Sequence, residues 1–150
     1  MKFNFTSQIC TSRSQSERLL ALGLKKETAD MCINPSRELV YPFSYSEALT
    51  LYDNYGLGKI METDLLLPAW SLHRLIEMMP KRIRNVKEDW DICGHDIAFV
   101  ITEELDVNYE EPFEDEPCYN KYFYKGNLYD KIVDSIAWLI QKGYFNKEYL

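Results

Sequence analysis

Cys93-Gly94-His95-Asp96 is the one short run in this 150-residue chain that combines a nucleophile, a base and an orienting acid. A Cys–His couple works only when sulfur and imidazole touch and a carboxylate holds the ring from its other side. Neighbours on a tight turn rarely face one another in that way. The same residues read more simply as a hairpin turn, with Gly94 supplying a positive φ and Asp96 the turn hydrogen bonds. No catalytic residue is assigned on this basis. An enzyme stays as an alternative, its site assembled from distant carboxylates, Tyr and His.

Metal and cofactor chemistry find less support. Zinc needs four convergent ligands, usually as close Cys or His pairs. His73 and His95, with Cys10, Cys32, Cys93 and Cys118, contain no such pair, so no metal ligand is named. The scattered Cys read as buried thiols of a reducing compartment. Gly56-Leu57-Gly58-Lys59 lacks the spacing and the following Ser or Thr of a phosphate-binding loop. No cofactor is expected.

Charge is the stronger signal. Eight carboxylates lie between Glu103 and Glu116 with no Lys or Arg among them. Taking eight negative charges from a net −7 leaves +1, so one segment holds the acidity of the whole chain. It has no calcium-loop pattern, because the Gly at position six is absent and Pro112 and Pro117 intervene. Glu104, Asp106 and Glu110 fall on the even side of an alternating stretch and read as the solvent face of a strand. That leaves a tip, Glu110, Glu111, Phe113, Glu114, Asp115 and Glu116, as the candidate contact with a basic partner protein. Direct nucleic-acid binding is not expected, since Lys81, Arg82, Arg84 and Lys87 form only a small basic cluster.

The elements that must carry these residues follow from period and punctuation. Ser14 and Glu17 fit a capping box opening a helix with Leu19, Leu20 and Leu22 on its apolar side and Gly23 as its stop. A helical turn over Lys26 to Met31 follows. Ser44 and Glu47 offer a second capping box for a helix to about Tyr52. The stretch from Lys59 to Leu67 is ambiguous between strand and connector. Ser71 can cap a helix whose Leu72, Leu75, Ile76 and Met79 form one stripe, with Trp70 and Leu75 placed as a staple and Pro80 as the stop.

From Arg84 to Tyr124 the period becomes two. Val86, Trp90 and Ile92 share one parity; Ile97, Phe99, Ile101, Leu105, Val107 and Tyr109 share another run of odd positions. Thirteen alternating residues exceed a typical strand, so two strands or a bend near Glu103 and Glu104 are expected. A last strand runs from about Cys118 to Tyr124. The final helix starts at Asn127 and carries Leu128, Tyr129, Ile132, Val133, Ile136, Leu139 and Ile140, with Trp138 off the centre of that stripe. Gly143 ends it, and Tyr144 can fold back. The whole predicts a single α+β domain over residues 1–150: N-terminal helices, a three- to four-stranded antiparallel meander, and a long C-terminal helix packed on the sheet.

Three segments carry a resemblance. They are Ser16 to Leu24 continuing through Thr28-Ala29-Asp30-Met31; Pro68-Ala69-Trp70-Ser71-Leu72 leading to Met79-Pro80; and Tyr129-Asp130 through Ala137-Trp138-Leu139-Ile140 to Gly143-Tyr144-Phe145. Together, over somewhat under half the chain, they resemble short uncharacterised proteins of gut bacteria of the Bacteroides group, often carried on prophages or other mobile elements. The resemblance implies a bacterial or phage cytoplasmic setting and carries over no catalytic residue. The first eight residues show no apolar signal core, and no run approaches a membrane span.

The reading that results is a small non-enzymatic interaction or accessory protein. An acidic mimic of nucleic acid and an unrecognised enzyme are its alternatives, and a self-associating structural protein is a third.

Overall fold

The computed structural model describes residues 7–34, 39–48, 50, 66–87, 94–112 and 119–150. It is an α+β protein with two antiparallel sheets. Contacts group the chain into two compact units: Met1–Ile76 with Tyr149–Leu150, and Glu77–Glu148.

The first unit opens with helix α1 (Arg13–Ala21), which starts two residues earlier than expected. Ser12 is the cap: its Oγ accepts from Gln15 N and Gln15 Oε1 accepts from Ser12 N. Serines at 12, 14 and 16 make the register degenerate in sequence. Packing chooses between them, since Ser16 is buried and shares a 2.7 Å hydrogen bond with Thr11. Glu17, expected in the box, pairs instead with Arg13 at 2.8 Å. The expected turn at Lys26 to Met31 shrinks to a 3-10 turn (Lys26–Thr28), because Met31 already belongs to a strand.

That strand, β1 (Met31–Asn34), lies at the centre of a sheet ordered β2-β1-β3, with β2 (Leu39–Tyr41) and β3 (Leu67–Ala69) as its edges. This sheet was not expected. Its strands have four, three and three residues, too short to show a period. Pro68 sits on edge strand β3, where its missing N–H costs no ladder bond. Helix α2, with described residues 45–48 and 50, opens on the expected box: Ser44 N donates to Glu47 Oε2 at 2.7 Å. The rest of that expected helix and residues 59–65 lie outside the described residues. Trp70, fully buried, donates from Nε1 to Thr28 Oγ1 at 3.0 Å and from N to Thr11 Oγ1 at 3.0 Å. Helix α3 (Leu72–Met78) is capped by Ser71, as expected, whose Oγ accepts from Arg74 N. It carries the chain into the second unit.

The second unit is the expected meander: β4 (Arg82–Val86), β5 (His95–Ile101), β6 (Val107–Glu110) and β7 (Asn120–Phe123), paired in that order. Trp90, Ile92, Cys93 and Cys118 lie outside the described residues. The long alternating stretch breaks into two strands at Glu103–Glu104, as foreseen, but Leu105 leaves the apolar face. It is 53% exposed at φ 61 in the hairpin turn, a backbone region that favours glycine. The even face is not simply solvent either, since Asn108 is buried.

Helix α4 (Leu128–Lys142) packs on β6 and β7. Asn127 caps it, in a box with Asp130, and Gly143 ends it at φ 76, a conformation that costs a Cβ-bearing residue but not glycine. Tyr144 N folds back to Leu139 O at 2.8 Å. Trp138, expected off the centre of the stripe, is a hub: its ring lies 5.7 Å from Tyr109, 6.0 Å from Phe123 and 5.7 Å from Tyr144. Lys131, also buried, ties the β5–β6 turn down by donating to Asp106 Oδ1 (2.6 Å) and Leu105 O (3.1 Å).

Candidate functional site

In the Cys-Gly-His-Asp run, whose Cys93 lies outside the described residues, Asp96 does not hold His95. Asp96 faces the neighbouring strand, where its Oδ1 accepts from Asn85 N at 2.9 Å. His95 is held by Glu111 instead, Nδ1 to Oε1 at 2.5 Å, and its ring stacks on Tyr119 at 5.6 Å. Gly94 has no positive φ. Its need for glycine is one of space: a Cβ there would overlap the Asn85 side chain. Asn85 takes φ 55 where the β4–β5 register shifts, so bulge and glycine fit together.

The described part of the acidic tip is turned to internal work. Glu111 holds His95, accepts from Tyr119 N at 3.3 Å through Oε2, and donates its own N–H to Tyr119 O. One side chain thus joins three strands. Glu110 Oε2 accepts from Asn120 Nδ2 (2.9 Å) and Asn108 Nδ2 (3.4 Å). Phe113, Glu114, Asp115 and Glu116 lie outside the described residues. An imidazole–carboxylate pair can shuttle a proton, and here it also ties β5 to the end of β6. The described residues hold no cluster of His, Cys, Asp and Glu able to take a metal. His73 is exposed, as expected.

A groove that sequence reasoning missed opens in the first unit. It has a volume of about 470 Å³ and runs between residues 7–13 and the β1–β2 pair. Ile9 (58% exposed), Leu39 (45%) and Val40 (38%) line it, with Cys10 and Ile33 at its base. Burial, reinforced by the Asp30 carboxylate, pushes the Cys10 thiol up to about 11. It is a neutral apolar surface at physiological pH, not a nucleophile. The groove could not be read from the sequence because its walls come from segments at least twenty residues apart.

Among the described residues no helix is long and apolar enough to cross a membrane. No protein-family model, curated protein or solved structure matches the chain.

Proposed function

We propose that this chain is a small non-enzymatic protein that docks on another protein through the groove beside β2. One observation carries the reading: three of the six exposed large hydrophobic side chains among the described residues gather at this groove, next to a sheet edge that no other described strand pairs. Contiguous apolar surface beside unpaired strand edge is the usual make-up of a peptide- or protein-binding site. The setting in a bacterial or phage mobile element, and with it a cytoplasmic location, rests on the sequence resemblance.

The test uses the full chain as bait in lysate of a gut Bacteroides-group bacterium, beside a Leu39→Asp/Val40→Asp variant. A discrete protein held in near-stoichiometric amount by the wild type and lost from the variant supports the reading. Equal recovery by both, or recovery by neither, overturns it. If the partner is basic, the acidic tip contributes through Phe113, Glu114, Asp115 and Glu116, because Glu110 and Glu111 already hold partners within the fold. The nucleic-acid-mimic alternative needs a row of free carboxylates, and the engagement of Asp106, Glu110 and Glu111 weighs against it.

A further inference from the structure

Strand β4 is an edge of the second sheet and carries cations. Arg82, Arg84 and Lys87 are exposed, and among the described residues no carboxylate pairs with them. Lys81 differs, because its Nζ lies over the Phe99 ring at 5.5 Å. In a chain of net charge −7, two cations on this edge strand and a third just after it, unpaired among the described residues, match an anionic neighbour in charge.

No described strand pairs with the outer side of β4 either. Phe99 N donates to Lys81 O at 3.0 Å, which makes Lys81–Phe99 a hydrogen-bonded pair. Antiparallel alternation makes Ile83–Ile97 the next such pair and turns the N–H and C=O of Arg82 outward. Beyond Arg84 the bulge at Asn85 interrupts any further ladder.

We infer that the Lys81–Arg84 edge accepts an acidic, extended polypeptide segment as a fifth strand, its carboxylates beside Arg82 and Arg84. Side chains two apart on such a strand repeat every ~6.6 Å, so alternate acidic residues match both arginines. An apolar strand is refused, because the edge cations would lose water without gaining a partner and the bulge shortens the ladder. A nucleic-acid strand fits less well. Stacking platforms for single strands interleave aromatics with cations, and here the exposed rings of Tyr122 and Tyr124 lie at and just beyond β7, the opposite edge. Three strand spacings, roughly 14 Å, separate the two edges.

The inference concerns a different surface from the groove and stands or falls separately. The probe is a labelled, alternating Glu-Thr octapeptide, titrated by fluorescence anisotropy against the full chain at low and physiological salt. Saturable binding is expected, weakened roughly tenfold or more by Arg82→Glu/Arg84→Glu/Lys87→Glu. A control of equal charge change, Lys125→Glu/Lys142→Glu/Lys147→Glu, should keep most of the affinity. N-methylation of alternate peptide amides should abolish binding, since strand addition needs those donors. Equal loss in both triple variants, indifference to N-methylation, or absence of binding overturns the inference. Tighter binding of a thymidylate dodecamer than of the peptide overturns it in favour of nucleic acid. Circular dichroism of each variant verifies that the fold is retained.

Discussion

Among the described strands, β2 and β4 each edge a sheet, and they are built in opposite ways. Strand β2 shows Leu39 and Val40 to solvent beside an apolar groove and carries no charged residue. Strand β4 carries Arg82 and Arg84, is followed by Lys87, and bends at a bulge. Natural sheets commonly protect exposed edges with charge and bulges, since an apolar edge invites pairing with any other strand. Protection of β4 therefore needs no functional reason by itself, whereas the unprotected edge at β2 does. The contrast teaches that an edge left apolar in the same chain that guards another is the first place to seek a partner. The guarded edge then accepts only partners that match its charge.

That comparison can be broken from the core outward. The β4–β7 sheet rests on Trp138, so Trp138→Ala should cost about 3–5 kcal/mol in denaturant unfolding. A loss below about 1 kcal/mol would mean that the aromatic cluster does not hold this sheet.

The bulge is the next test. Gly94→Ala places a Cβ against Asn85 and should cost about 1–3 kcal/mol. Adding Asn85→Gly should restore most of that loss. No rescue would show that the clash lies elsewhere.

Alkaline pH compares the two units. Burial holds both Cys10 and Cys32 protonated in the folded chain; each rises from 9.0 to about 11, Cys10 with added repulsion from Asp30 and Cys32 with a contribution from Cys10. Above pH 9 the unfolded chain has released protons that the folded chain keeps. Their stabilising contribution is therefore complete below pH 9 and is lost as pH rises through about 11. It amounts to roughly 1–3 kcal/mol per thiol. Burial also raises the Tyr109 phenol in the second unit, so Tyr109→Phe removes a parallel decline that begins near pH 10. A denaturation midpoint that falls as steeply in Cys10→Ala/Cys32→Ala as in wild type would exclude the thiols as its source.

The smallest effect concerns the β5–β6 turn. Leu105 adopts φ 61 with its side chain largely in solvent, so Leu105→Gly should stabilise by about 0.5–1 kcal/mol. Destabilisation would mean that the exposed side chain makes a contact worth more than the backbone strain.

Helix α4 was legible in the sequence nearly to the residue. Its cap at Asn127, its apolar stripe and its stop at Gly143 act within a few positions of one another, and local physics suffices. The meander was legible for a related reason, since alternation is written along each strand whatever lies beside it. Even so, Trp138, read off the centre of the stripe, proved central to the ring cluster, and Lys131, which periodicity does not single out, reaches Asp106.

The sequence by itself determined the α+β class, the long final helix, the alternation that marks the meander and the concentration of acid between Glu103 and Glu116. Only the tertiary structure decided that Glu111 belongs to His95 sixteen residues away, that β1 pairs with Pro68 and Ala69, and that one edge is apolar while another is guarded. Propensity and capping reach about one helical turn along the chain. Partners across strands depend on which segments become neighbours, and strands of three or four residues carry too little pattern to announce them.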